Sequence, residues 1–262
     1  MLTFTNNCGL LKFEILEQYA GVVNFVTTRR RPDGLDDNFN IGFSGGKADD
    51  IVVNRELLSL AVGIPGNRFV FQNQVHGNSV HVCTSADGGA GWFSKDTAIQ
   101  NTDILVTNER NLCLVTRSAD CVPVLLYSPD SQSIAAVHSG REGTYLKAAV
   151  VAAQELCSRY GAIAKNIVAC IGPAIGFSCY EVGMDCADKF LRDPRFHPDT
   201  IRVTGEKAFL DLKKMIFYDL LTFGLVANNI EISDICTKCS DSAFFSARRG
   251  ENQRFCAGIC LK

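Results

Sequence analysis

The sequence predicts an α+β fold in a single domain spanning residues 1–262, and three observations carry that reading. Short apolar runs rich in Val, Leu and Ile outnumber the helical patterns. Several of them follow one another with only a turn between, which argues against strict β-α-β alternation. No repeat, linker or low-complexity stretch divides the chain. The expected architecture is a mixed sheet, or a pair of sheets, covered by helices.

Taken in order, residues 21–28 read as a strand ending in Arg29, and 32–46 as loop, where Gly42, Gly45 and Gly46 suit either turns or a close approach to a ligand. A helix is expected from Asp49, capped by Asp49 or Asp50, with Ile51, Leu57, Leu58 and Val62 on one side and Gly63 and Pro65 ending it. Residues 69–71 and 79–84 look like short strands on either side of Gln74-Val75-His76-Gly77. The segment 85–101, with Gly88, Gly89 and Gly91, reads as a loop able to move as a flap, and the strand pattern resumes at 103–107.

The centre of the chain is 112–144. Residues 112–116, 122–127 and 134–137 are apolar runs bounded by polar or turn residues, as buried strands are. Arg117-Ser118-Ala119-Asp120-Cys121 joins the first two, and His138 ends the third. A long helix is expected from about Gly143 to Tyr160, since Leu146, Ala149, Val150, Ala153, Leu156, Cys157 and Tyr160 recur at helical spacing before Gly161. A strand at 167–171 breaks at Gly172-Pro173. Beyond it come a helix at 184–191, a strand at 209–211, a helix at 212–223 and a strand at 230–232.

A formal charge of −2 and a pI near 6.1 supply no overall field for nucleic acid or an anionic membrane. No apolar run approaches the roughly 18 residues of a membrane span and the start lacks an export signal, so a soluble, cytoplasmic protein is expected. Twelve cysteines in such a chain point to reduced thiols, packing or metal binding rather than disulfides. Cys113, Cys157 and Cys170 read as packing residues.

Only four histidines occur, His76, His81, His138 and His197. His76 and His138 fall at strand edges, as does Cys121, and together they supply the three nitrogen and sulfur ligands of a catalytic zinc with a fourth position open. The same atoms allow a Cys–His hydrolase, with Cys121 as nucleophile, His138 as base and Asp120 orienting it. A further set, Cys236 and Cys239 with Cys256 and Cys260, could hold a structural zinc, but uneven spacing and the apolar neighbours Phe255 and Ile259 favour packing. Anion donors are available at Arg29, Arg141, Arg248 and Arg249, and at the helix start after Ser139-Gly140.

Ordered motifs run through most of the chain: Thr28-Arg29, Asn40-Ile41-Gly42, Asn54-Arg55, Gln74-Val75-His76-Gly77, Ser118-Ala119-Asp120-Cys121-Val122-Pro123-Val124, Val137-His138-Ser139-Gly140, Gly172-Pro173-Ala174-Ile175-Gly176, Cys179-Tyr180-Glu181-Val182-Gly183 and Phe244-Phe245-Ser246-Ala247-Arg248-Arg249. In these the chain resembles the YfiH/DUF152 family, also called the polyphenol-oxidase or laccase-domain family. The resemblance implies a four-layer α/β/β/α sandwich similar to toxin-type cysteine hydrolases, and metal ligands at His76, Cys121 and His138. It implies a zinc-dependent enzyme that phosphorolyses adenosine, inosine and S-methyl-5′-thioadenosine and deaminates adenosine. Small-molecule nucleosides and phosphate are then the partners, with neither nucleic acid nor membrane.

Asp120, Cys121 and His138 are the expected catalytic groups, and Arg29, Asn40, Ser44, Gln74 and Arg141 the expected substrate contacts. The family's usual HAGWRG is here His138-Ser139-Gly140-Arg141-Glu142-Gly143, so the contact made by the family's arginine is absent here unless Arg141 replaces it. Zinc ranks ahead of copper, because a multicopper oxidase needs on the order of ten imidazole ligands and this chain has four histidines. An amidase or deamidase using Cys121 is the alternative reading.

Overall fold

Residues 2–5 and 9–262 are described by the computed structural model. Most of the core strands are buried on both faces, which explains why they read as continuous apolar runs rather than as alternation. In Cys113–Ser118, Leu114 points into one apolar cluster while Cys113 and Val115 point into another. In Val122–Ser128, Val122, Val124 and Leu126 face one cluster, and Leu125 and Tyr127 face the next. Leu125 is fully buried, so truncating it to Ala costs about 2–5 kcal/mol.

These strands belong to two six-stranded sheets. The first runs through Leu2–Thr5, Leu10–Phe13, Val22–Thr27, Phe255–Leu261, Cys113–Ser118 and Phe69–Phe71; the second through Ile230–Ile232, Val168–Ile171, Val122–Ser128, Ser133–Ser139, Ile104–Thr107 and Val80–Val82. Both are mixed: Phe69–Phe71 lies parallel to Cys113–Ser118, and both edge strands of the second sheet lie parallel to their neighbours. The cluster containing Leu114, Leu125, Ala136 and Ile259 fills the space between the two sheets. Helices Ala148–Tyr160 and Leu212–Phe223 cover the other face of the second sheet through Ala149, Ala153, Leu156, Ile216 and Leu220. Helix Ala48–Val62, with Phe39 and Trp92, covers the first through Leu58. A small antiparallel sheet, Glu181–Gly183, Lys207–Leu210 and Ile201–Thr204, completes the α+β arrangement.

Several expectations need correction. The helix expected over 143–160 is two, Arg141–Tyr145 and Ala148–Tyr160, because Lys147 turns left-handed at φ 57 and its ammonium is held 2.9 Å from the buried Asp219. Lys47, not Asp49 or Asp50, precedes the first residue of helix Ala48–Val62; the two aspartates sit in its first turn, where they favour the helix dipole. Asp211 ends no strand but caps helix Leu212–Phe223, accepting from the Lys214 amide at 3.0 Å. Strand Phe255–Leu261 went unread, although it pairs with both Val22–Thr27 and Cys113–Ser118.

The segment 85–101 is anchored rather than free to flap. Arg55, fully buried, donates to the carbonyls of Gly91 and Trp92 with one guanidinium nitrogen, and to those of Ile41 and Gly42 with the other. Phe43 and Phe71 cover its planar face at 4.8 and 4.7 Å. A buried cation with several carbonyl acceptors is costly to disturb, so it pins this segment and the 41–43 turn to the same helix.

Candidate metal centre

The chain crosses from the first sheet to the second through Ala119-Asp120-Cys121, between Cys113–Ser118 and Val122–Ser128. That crossover places Cys121 at the mouth of a strand, opposite His138 near the end of Ser133–Ser139. His76 arrives from the turn after Phe69–Phe71 in the left-handed region, φ 63. The Cys121 sulfur and one nitrogen of each imidazole lie within 4.8 Å of one another, and the two rings meet edge to face at 4.9 Å.

One carboxylate organises both histidines. Asp103, fully buried at the head of strand Ile104–Thr107, accepts from His138 Nδ1 at 2.7 Å and from the amides of His76 at 3.0 Å, Val75 at 3.2 Å and Gly77 at 2.7 Å. Burial pushes this carboxyl upward, but the bonds from His138 and the Gly77 and Val75 amides overcome it and hold it below the usual carboxylate value. Burial pushes His138 down more than Asp103 raises it. A neutral imidazole with Nδ1 committed to a carboxylate leaves Nε2 free for a cation, the tautomer a metal ligand needs. Gly140 completes the cradle: a Cβ there would lie 3.0 Å from both Cys121 Sγ and His76 Cδ2.

These donors open into a cavity of about 490 Å³. Its wall carries four cations, Lys95, Arg117, Arg248 and Arg254, and two aromatic rings, Phe43 and Tyr180. The carboxylate among the lining residues, Asp120, is already satisfied: Thr237 Oγ1 donates to it at 2.6 Å, Ser246 Oγ at 2.9 Å and the Arg248 amide at 2.8 Å. Buried Arg117 is pulled down to about 9 by desolvation and by Arg55 and Arg254, which leaves it cationic at neutral pH. The cavity therefore favours an anion beside the two histidines and the cysteine.

The expected residues divide into those at the cavity and those that build it. Ser44 and Gln74 line it, but Gln74 spends its amide on the Arg117 backbone, donating to the carbonyl at 2.8 Å and accepting from the amide at 3.0 Å. Asn40 is buried and braces the rim: it donates to Ser44 O and accepts from the amides of Gly42 and Arg254. Arg29, expected to anchor phosphate, lies in a separate depression with Asp37, Asp241 and Ser242, where its guanidinium binds Asp241 O at 2.7 Å and Glu251 at 3.1 Å. Arg141 is not among the lining residues, although its charge acts on Cys121 and Tyr180, which are, and its buried Nε has no partner among the described residues. Glu142 pairs with Lys189. Asp120, one of the expected catalytic groups, lines the cavity with both carboxylate oxygens accepting from donors.

Sequence reasoning missed Asp103, Arg117, Arg254, Lys95, Phe43 and Tyr180. Asp103 had a readable signal, an acid opening an apolar strand. The others come from five separate stretches of chain, and nothing local announces their convergence. His81 and His197 lie elsewhere, paired with Asp87 and Asp199.

For a Cys–His hydrolase the thiol must ionise readily. Burial, and next Asp120, instead push the Cys121 thiol up to about 12, so the pocket favours thiolate only with a cation beside it. Cys256 and Cys260 are buried in strand Phe255–Leu261 and serve packing, as does Cys170 in strand Val168–Ile171.

The sequence from residue 24 to 262 matches the family model described as multi-copper polyphenol oxidoreductase laccase. A purine nucleoside phosphorylase from Bacteroides thetaiotaomicron is 30% identical over 255 residues, covering 95% of this chain and 94% of that one. An adenosine deaminase, RL5, from an unknown prokaryotic organism is 30% identical over 247 residues, covering 92% and 93%. Among solved structures, YlmD from Geobacillus stearothermophilus superposes with a TM-score of 0.90 at 30% identity, covering 99% of this chain and 98% of that one.

Proposed function

The chain belongs to the multi-copper polyphenol oxidoreductase laccase family, and from that premise we propose that it is a purine nucleoside enzyme, a phosphorylase with adenosine deaminase activity. The observation that carries this is the convergence of His76, Cys121 and His138 on a cavity walled by arginines and aromatic rings. Two relatives of nearly full-length coverage support it, one named for each activity. The oxidase in the family's description fits the donor set poorly: His81 and His197 are hydrogen-bonded elsewhere, to Asp87 and Asp199, which leaves two histidines where a multicopper centre needs on the order of ten. In this reading the two facing sheets with helices outside are the four-layer α/β/β/α sandwich, similar to toxin-type cysteine hydrolases.

His76, Cys121 and His138 hold zinc, whose ligand preference is met by two imidazoles and a thiolate with a position left open. When bound, zinc supplies Lewis acidity at the reacting end of the substrate. Everything else is the work of the chain. Asp103 fixes the His138 tautomer and, through three successive amides, the left-handed turn that presents His76. Guanidinium groups already lie over both aromatic rings, Arg117 4.0 Å from the Phe43 centroid and Arg248 5.0 Å from that of Tyr180, so the rings hold cations in place. Arg248, Arg254, Arg117 and Lys95 form the phosphate subsite in place of Arg29. Adenosine, inosine and S-methyl-5′-thioadenosine share the purine and ribose that such a cavity reads, so all three are substrates.

The test is adenosine incubated with the enzyme and separated by chromatography. Adenine and ribose 1-phosphate should form only when inorganic phosphate is present, because phosphate is consumed; inosine should form with or without it. Adenine release that ignores phosphate would make the enzyme a hydrolase and overturn the phosphorylase reading.

A further inference from the structure

A second group of metal-binding atoms lies outside the cavity lining. Cys179 ends the short turn Phe177–Cys179, and Cys236 and Cys239 bracket the turn Cys236-Thr237-Lys238-Cys239. Their three sulfurs lie within 4.8 Å of one another, with Cys179 Sγ and Cys239 Sγ 3.3 Å apart. Zinc–thiolate bonds of about 2.3 Å in a tetrahedron separate neighbouring sulfurs by about 3.8 Å, so the triad is close to one face of such a tetrahedron. The Gly176 amide donates to Cys236 Sγ at 3.1 Å, the kind of bond that orients a metal-bound thiolate. Gly176 has to be small for this, since a Cβ would come within 3.1–3.2 Å of the Cys236 side chain.

We propose that Cys179, Cys236 and Cys239 form a second zinc site, distinct from the His76/Cys121/His138 centre, that ties the 176–180 turn to the 236–239 turn. All-thiolate donors select a soft cation. Cys239 is exposed and Cys179 and Cys236 are half-buried, so the site is open to loading and its fourth position to solvent. Both turns support the cavity wall from behind. Tyr180, which lines the cavity, follows Cys179 directly, and Thr237 donates at 2.6 Å to Asp120, the neighbour of Cys121. Binding of zinc displaces a proton from each thiol that is not already ionised and changes no oxidation state.

Metal analysis of the purified, reduced full-length chain decides the matter. Wild type should carry about two zinc ions per chain, and Cys121→Ser, Cys179→Ser and Cys239→Ser about one each. Cobalt(II) loaded into Cys121→Ser should give an intense thiolate-to-cobalt charge-transfer band, a readout independent of whether the Cys179 and Cys239 variants fold. Loss of that band when iodoacetamide is added first would match blockage of accessible thiols at this triad. Wild type holding about one zinc that disappears in Cys121→Ser, with no cobalt band in that variant, would overturn the second site. A zinc that survives Cys121→Ser but is lost in Cys239→Ser would uphold the triad even if the nucleoside reading failed. Thiol counting that finds Cys179 and Cys239 joined as a disulfide in zinc-supplied protein would also overturn it.

Discussion

Two clusters of donor atoms meet across Asp120, whose carboxylate is bonded to Thr237 and whose backbone continues into Cys121. The first, His76, Cys121 and His138, is built of two imidazoles and a thiol; two of its members stand at the ends of core strands, and a buried carboxylate fixes the histidines. The second, Cys179, Cys236 and Cys239, is all sulfur, stands on surface turns and is braced by an amide. Donor atoms alone would make both metal sites. What separates them is the surroundings: only the first opens directly into a cavity walled by cations and aromatic rings, and that is where a substrate can meet a metal. The second has the donors of a cross-link.

The largest contrast is expected when each cluster loses one member. His138→Ala should abolish phosphorolysis and deamination together, because the proposed function assigns both to one centre. Cys179→Ser should leave both activities within a few-fold and lower the thermal midpoint instead. Initial rates and scanning calorimetry on the same preparations check this, and a Cys179→Ser enzyme as dead as His138→Ala would erase the distinction between the clusters.

Asp103→Asn comes next. It keeps the shape but removes the charge that fixes His138 and collects three amides, so metal affinity or activity should fall about 10–100-fold. Its pH signature follows from the sign of the shifts. Asp103 is held below its ordinary value of 3.8 in the fold, so its stabilisation is present above that pH and is lost as pH falls through the lowered value. His138 is lowered from 6.5, so the unfolded chain takes up its proton first and metal-free stability declines as pH drops below about 6.5. Denaturant unfolding of chelator-treated protein should show both losses in wild type, and Asp103→Asn should show a shallower one below pH 3.8, since Asp33, Asp193 and Asp199 are also held low and remain.

A more selective effect, confined to one of the two reactions, separates two arginines. Arg248 is exposed at the cavity wall, and Arg248→Ala should cut phosphorolysis about 10²-fold, roughly 2.7 kcal/mol of transition-state stabilisation, while deamination changes little. Arg29→Ala, outside the cavity, should spare both reactions and cost about 1 kcal/mol of stability through its half-buried pair with Glu251. The reverse pattern, read from kcat/KM for each reaction, would return the phosphate subsite to Arg29.

How far the sequence could be read follows the same division. The strands around 112–139 and the three donors were legible because each strand is a short apolar run, and each donor is a rare residue type at a strand edge or in a motif. The flaw in the long helix was not legible, since one lysine held left-handed by a distant Asp219 leaves the apolar spacing intact. Strand Phe255–Leu261 hid behind its cysteines, which suggested ligands where the fold uses them as small apolar residues. Cys236 and Cys239 were noticed but matched with Cys256 and Cys260, their neighbours in sequence; their spatial partner is Cys179, some sixty residues away. Arg29 reads as an anion donor in the sequence because two of its partners, Asp241 O and Glu251, come from the other end of the chain.

The central question for this enzyme is whether one metal centre at His76, Cys121 and His138 drives both reactions. The most direct measurement strips Cys179→Ser protein with chelator and titrates zinc back while adenine and inosine formation from adenosine are followed in parallel, with phosphate present. Both activities should return together and saturate at about one zinc per chain. Either activity persisting in the stripped protein, or the two returning at different zinc ratios, would contradict a shared centre.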